Sequence, residues 1–430
     1  MSNLDHQFHA DSPWRLRFCA IFIGQAVSLI GSSLTQFVLM WWITDTTGDV
    51  AALAMAGVAA MLPQAILAPL GGTIADRHSR RMLMIGADLV SALCMLVLIG
   101  LFASGEVELW HVYVMMSIRS AMQAFQGPAA AASVTMLVPK GFLVRAAGLN
   151  QAMQSITLIA AAPLGALAIG VMPMGWALGI DVITAILGIT PLLFFAIPQP
   201  RRSQAARAAS PSVWRDFKEG VALVWQNRGL RLLYALLGFV VLIIMPSYTL
   251  VPLLVKEHFD GGASQVALME GLAGAGMLFG GVLVALMAPQ RKMWWILWGF
   301  ASSCLALALT GLVPARLFGV AVAWWALSGI TYVFGSAPLT ALLQTIVPPH
   351  LQGRVLSLLN MIMGLAAPIG LAVVAPIGTV MSVNTLFVVL GVLGALASLA
   401  GFLSPTLMRL ADDRIYSEGA ALRKEDVHTG

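Results

Sequence analysis

The sequence predicts an all-α membrane protein: twelve transmembrane helices in two pseudo-symmetric six-helix bundles, with both termini cytoplasmic. Three observations carry that expectation. The 430 residues are 59% hydrophobic and 10% charged, with a mean hydropathy of +0.88, because apolar runs recur near the ~20 residues that cross a bilayer core. Basic residues gather in the short loops of one side, as cytoplasmic loops do. An offset of 209 residues lays Gly71-Gly72 on Gly280-Gly281, Phe125 on Phe334, Val138-Pro139 on Val347-Pro348, and Arg145 on Arg354. Farther on the offset drops by four, and Ala162-Pro163 meets Ala367-Pro368. Two like halves around a central site follow from such a repeat.

Taken in order, the first bundle (1–197) holds spans at 16–44, 50–75, 81–104, 109–137, 142–171 and 174–197. Residues before Arg15 are polar, and the run after Arg17 is too long for a signal peptide and lacks a small-residue cleavage site. It is expected to remain as the first span. A cytoplasmic linker (198–228) follows. Its second part, 212–227, sets Val213, Phe217, Val221 and Val224 at helical spacing beside Arg215, Lys218 and Glu219, which reads as an amphipathic helix on the inner membrane surface. The second bundle (229–407) holds spans at 229–256, 263–288, 293–313, 317–346, 354–377 and 382–407, and a cytoplasmic tail (408–430) closes the chain. With the N-terminus inside, Lys256 and Arg316 fall outside and Arg119 within the membrane. The other 21 of the 24 basic residues then face the cytoplasm. Losing one span would scramble that bias.

Composition also excludes function classes. The net charge of +5 comes from loop residues that face anionic lipid, so membrane lipids and not nucleic acid are the expected macromolecular surroundings. Cys19, Cys94 and Cys304 lie inside predicted helices, which argues against a disulfide framework. The seven histidines lack metal-ligand spacing, and no Gly-x-x-x-x-Gly-Lys-Ser/Thr loop occurs. No cofactor and no enzymatic activity are expected.

Ionisable groups at lipid depth are functional candidates. Arg119 lies nine residues inside its span from Trp110, about 14 Å deep at the helical rise. A guanidinium there costs roughly 2.5–3.5 kcal/mol on insertion scales, so it requires a polar cavity or a partner. Asp181 and Glu270 lie about 9 and 10 Å below the outer face. Desolvation disfavours the charged form of a carboxyl, which suits a group that must load and unload a proton. The structural alternatives are an ion pair with Arg119 for Asp181, and a hydrogen bond to a neighbouring helix for Glu270. Asp88, about 10 Å in from the cytoplasmic end, reads as structural, reaching Arg81 or Arg145 by snorkelling.

Polar stripes mark inward faces. The first span carries Gln25, Ser28, Ser32, Thr35 and Gln36 at spacings of three to four; the fifth carries Asn150, Gln151, Gln154 and Ser155. Tyr248, Trp324 and Tyr332, with Met115, Met116 and Met122, suggest an apolar lining that repacks around varied ligands. Prolines at 63, 69, 128, 163, 246, 252, 338 and 368 are expected to interrupt helices, and Gly276-x-x-x-Gly280 to permit close crossing.

The loop Gly72-x-x-x-Asp76-Arg77-x-x-Arg80-Arg81 resembles the signature of the major facilitator superfamily. Further strings place the resemblance in the drug–proton antiporter type, near the macrolide-efflux branch, and similar also to enterobactin exporters. They are Gly24-Gln25-Ala26-Val27-Ser28, Ile85-Gly86-Ala87-Asp88, Ile118-Arg119-Ser120, Gln154-Ser155-Ile156, Glu270 with Gly276-Met277-Leu278, and Gly353-Arg354-Val355. Ser79 and Gln123 stand where the family usually has glycine.

The resemblance implies a fold of two bundles that rock around a midplane cavity lined by the first, fourth, seventh and tenth spans. It implies a conformational latch in which Asp76, with Gly72, Arg77 and Arg81, meets the start of the eleventh span at Gly353 and Arg354. It implies proton-coupled export of an amphipathic small molecule across the cytoplasmic (inner) membrane; the groups expected to carry the coupling, from their depth, are Glu270, Asp181 and Arg119, and a monomer is expected. The substrate cavity is then expected to draw on Gln25, Ser28, Ser32, Gln36, Arg119, Gln151, Tyr248, Trp324 and Tyr332. A siderophore exporter of the same fold, and a receptor or scaffold that transports nothing, are the alternatives.

Overall fold

Lipid offers the backbone no hydrogen-bond partners, so a spanning chain must satisfy its own amide groups. The computed structural model does so with helices; it describes residues 14–197, 221–222, 224–287, 289–347 and 349–410. Among these the long helices are α1 (Trp14–Thr47), α2 (Val50–Arg77), α3 (Arg80–Ser104), α4 (Leu109–Leu137), α5 (Leu143–Val171) and α6 (Met174–Phe194). They continue with α7 (Arg228–Phe259), α8 (Ala263–Met287), α9 (Lys292–Leu312), α10 (Phe318–Ile346), α11 (Pro349–Ile377) and α12 (Val383–Ala400), and a short α13 (Pro405–Arg409) follows.

Eleven of these helices are long and apolar enough to cross a membrane. The expected twelfth, α4, forms as a helix but falls short in hydropathy, because His111, Arg119, Gln123 and Gln126 interrupt its apolar run. The last span also ends earlier than expected, at Ala400. A 3-10 turn over Gly401–Leu403 follows, and Ser404 then caps α13 with Pro405 in its first turn, a position that tolerates a missing N–H. The prolines at 128, 163, 246, 252, 338 and 368 lie inside continuous helices and do not interrupt them. Neighbouring groups in a membrane protein re-satisfy the backbone that proline frees. Of the surface helix expected at 212–227, only 221–222 and 224–227 are described; 221–222 and 224–226 are helical, and Asn227 caps α7. The rest lies outside the described residues, as does the tail beyond Leu410.

Contacts divide the chain into two compact units. The first comprises 1–48, 55–210 and 262–271. In it α1 packs on α5 and α6, and α3 on α4 and α6. Small residues make the approach close. A Cβ on Gly188 of α6 would come 2.9 Å from that of Ser28 on α1, and one on Gly71 of α2 would strike the Ala124 carbonyl of α4. Phe18, Met84, Leu137 and Leu192 belong to one buried core, with Phe142 edge-on to Trp14 and Phe18 at ring distances of 5.3 and 5.8 Å.

The second unit comprises 49–54, 211–261 and 272–430. Here α9 packs on α10 and α12, and α7 on α11 and α12. The close crossing expected at Gly276-x-x-x-Gly280 is present. A Cβ on either glycine would meet the Ala326 or Ile330 carbonyl of α10 at 2.6 or 2.7 Å, and one on Gly329 would meet the Ala273 carbonyl at 2.5 Å. Ser303 and Ser328 tie α9 to α10 reciprocally, each hydroxyl donating to the other's backbone carbonyl at 3.0 and 3.1 Å.

Candidate functional site

A cavity of about 580 Å³ opens inside the first unit. Gln25, Ser28 and Ser32 of α1, Gln123 and Gln126 of α4, and Asn150 and Gln154 of α5 line it, beside Phe18, Phe22, Met84 and Met153. The one-face stripe read on the first span therefore points into it over two turns. Gln36, half-buried, lies beyond it, and Gln151 is exposed. One residue turns a helix by about 100°, so the side chains facing the cavity from α5 are Asn150 and Gln154 instead.

Two buried carboxylates flank this lining. Asp181, 1% exposed, faces Arg119, 8% exposed, across 2.8 Å. The ion-pair alternative for Asp181 is thus realised, and Arg119 does not line the cavity. The Ser32 hydroxyl, which does, donates to Asp181 Oδ1 at 2.9 Å, and Arg119 Nη1 leans on Met95 Sδ at 3.8 Å. The cavity therefore meets the buried pair through a single hydroxyl.

Asp88 corrects the reading. It reaches neither Arg81 nor Arg145: the Arg81 guanidinium donates to the Leu193 carbonyl at 2.7 Å, and Arg145 is exposed. Carboxamides hold Asp88 instead, Gln126 Nε2 donating to Oδ1 at 2.5 Å and Gln25 Nε2 to Oδ2 at 3.2 Å. Gln126 also donates to Gln25 Oε1 at 3.3 Å. Asp88 faces inward toward polar partners, where a residue snorkelling to the surface would face out. Gln126 went unnoticed in sequence, although Arg119, Gln123 and Gln126 follow at spacings of four and three, the mark of one helical face.

Glu270 on α8 is half-buried, and no hydrogen bond or ion pair joins it to another described residue. The hydrogen bond weighed for it is absent among those residues. Tyr248, Trp324 and Tyr332 belong to the second unit and are all half-buried. Tyr248 packs on Trp325 at 4.9 Å and Tyr332 on Phe300 at 5.7 Å. Trp325, the neighbour of Trp324 in sequence, is the buried indole there. Gly72, Asp76 and Arg77 lie in the last turns of α2, and Gly353 and Arg354 in the first turns of α11; their side chains are outside the described set.

Comparison with known proteins bears on this arrangement. Residues 21–371 match the sequence pattern of the Major Facilitator Superfamily. The chain is 34% identical to macrolide efflux protein A of Streptococcus pyogenes over 381 residues, 88% of this chain and 94% of that one. It is 23% identical to the multidrug efflux pump Tap of Mycobacterium bovis over 407 residues, 91% and 94% of the two chains. Among solved structures, a POT family transporter in complex with 5-aminolevulinic acid superposes with a TM-score of 0.71 at 12% identity, covering 91% of this chain and 96% of that one. A bacterial homologue of the lysosomal transporter Spinster, inward-facing and unoccupied, gives 0.64 at 15% identity, covering 94% and 96%.

Proposed function

Because this chain belongs to the major facilitator superfamily, a family of multi-pass membrane transporters and not of enzymes, we propose that it exports amphipathic, macrolide-like compounds from the cytoplasm. The proposal includes a cytoplasmic-membrane location, twelve spans with α4 among them, cytoplasmic termini, alternating access and inward proton flow. What carries the reading is the cavity of the first unit, where carboxamides and hydroxyls share the wall with phenylalanine and methionine. Such a wall suits a ligand with an apolar body and scattered polar groups. An inward proton releases about 2.3 kcal/mol per 100 mV of membrane potential. Glu270 is the carboxyl we assign to that proton in α8, since among the described residues nothing else engages it. Asp181 is bound to Arg119 and serves in this reading as the neutral floor beneath Ser32. The part of Asp76 and Gly353 in switching rests on the sequence resemblance.

A siderophore exporter would need cationic side chains to receive an anionic ligand. Arg119, the basic residue at membrane depth, is neutralised by Asp181, so that reading loses its support. The deciding experiment is accumulation of a fluorescent macrolide in cells expressing the protein, with and without an uncoupler. The expected result is low accumulation that rises to the level of control cells when the uncoupler is added. Equal accumulation with and without the protein would dismiss export, and exclusion that ignores the uncoupler would dismiss proton coupling.

A further inference from the structure

Asp88 is a buried titratable group that the proposed route does not use. It is 4% exposed on α3, inside the first unit. The charges on the elements packed around it are engaged elsewhere. On its own helix, Arg80 donates to the Ala132 carbonyl and Arg81 to the Leu193 carbonyl, both at 2.7 Å. On α4 and α6, Arg119 and Asp181 hold each other. On α1 no charged residue lies between Arg17 and Asp45. Protonating Asp181 would strand the Arg119 guanidinium without a counter-charge, whereas protonating Asp88 removes a net buried charge.

Its partners can serve both forms. A carboxamide donates through its N–H₂ to a carboxylate and accepts through its oxygen from a carboxylic acid. Gln25 Nε2 donates to Asp88 Oδ2 and lies 3.4 Å from the Gly188 carbonyl, while its Oε1 accepts from Gln126. A half-turn of the Gln25 amide presents its oxygen to a protonated Asp88 and turns the N–H₂ away. Gln25 and Gln126 line the cavity, so that half-turn changes the polar face a substrate meets.

We infer that Asp88 takes up and releases a coupling proton within the first unit, and that Gln25 and Gln126 relay its protonation state to the cavity. The proton comes from water in the cavity, binds one carboxyl oxygen, and returns to water when the amides swing back. This inference rests on the proton-coupled export proposed above.

The test uses the purified full-length protein in proteoliposomes with a fluorescent macrolide as probe. Two rates are read: uptake driven by an imposed pH gradient, and gradient-free exchange of bound macrolide. For Asp88→Asn, which keeps the side chain's size but cannot ionise, gradient-driven uptake is expected to fall by about tenfold or more while exchange persists. The pH dependence of macrolide affinity is expected to flatten, and Asp88→Glu to recover part of the driven uptake. Driven uptake at the wild-type rate in Asp88→Asn overturns the inference. So does loss of exchange and driven uptake together in a protein of unchanged melting temperature, which marks a structural role. If wild type itself shows no gradient-driven uptake, the export reading fails and not the assignment of Asp88 within it. If Asp88→Asn does not fold, Gln25→Met replaces it, removing the oxygen that accepts from the acid. Macrolide affinity that then loses its pH dependence supports the relay, and an unchanged pH dependence overturns it.

Discussion

Arg119 of α4 and Asp181 of α6 meet at 2.8 Å with almost no exposure to solvent. The contact is an ion pair and not an aligned hydrogen bond: Asp181 Oδ2 accepts none, while Oδ1 takes the hydroxyl of Ser32. Removing one member leaves a bare charge at lipid depth, which costs about 3–5 kcal/mol in buried pairs. Arg119→Met alone is therefore expected to lower the melting temperature in detergent sharply, or to prevent accumulation in the membrane. Arg119→Met combined with Asp181→Leu should recover most of that loss, since a packed apolar pair can replace a buried ionic one. A double variant as unstable as the single one would mean that the pair does more than cancel charge.

Glu270 differs in having no partner among the described residues, so replacing it strands nothing there. Glu270→Gln keeps size and hydrogen-bonding capacity and removes only the exchangeable proton. Protein abundance is expected to stay level while uncoupler-sensitive macrolide efflux drops by roughly tenfold or more. Efflux assays on membranes matched for expression measure this, and wild-type efflux in the variant would take Glu270 off the proton route.

The contrast between these carboxyls explains what the sequence could and could not disclose. Eleven of the spans were legible because hydropathy and length suffice for them, and Arg119 announced itself by depth alone. Its pairing with Asp181 was one of two open readings, since depth does not tell which face of a helix a residue occupies. Asp88 was misplaced for the same reason. Its carboxamide partners lie 63 and 38 residues away, and only packing brings them together. The loss of α4 from the apolar set follows in part from the carboxamides that build the cavity wall, Gln123 and Gln126. Polar lining and a strong hydropathy signal compete for the same helix.

The α8–α10 crossing yields a prediction about packing alone. Gly276 and Gly280 lie against backbone carbonyls, which cannot rotate aside as a side chain can. Gly276→Ala is expected to cost about 1–3 kcal/mol, as overpacking does in tight cores. Gly100→Ala on α3, where an added Cβ meets nothing within 4 Å, is expected to be neutral or to stabilise by up to about 1 kcal/mol through helix propensity. Thermal melts of the two variants in one detergent compare them directly. Equal melting temperatures would show that the crossing has room to spare.

The status of α4 as a spanning helix can be settled by chemistry at its two ends. At 29 residues it is long enough to cross, since a helix rises 1.5 Å per residue and the core is about 30 Å thick. Its polar groups are turned inward: Gln123 and Gln126 onto the cavity, and Arg119 onto Asp181. Low hydropathy is then no barrier to insertion, because lipid never meets those side chains. Cys19 is exposed while Cys94 and Cys304 are buried, so a cysteine-free background needs Cys19→Ser together with Cys94→Ala and Cys304→Ala. In that background Glu106→Cys precedes α4 and Gly141→Cys follows it, and both positions are exposed. A membrane-impermeant maleimide added to intact cells is expected to label Glu106→Cys and to spare Gly141→Cys until the membrane is opened. Labelling of both from outside would mean that α4 does not cross, and the orientation of every later helix would reverse with it.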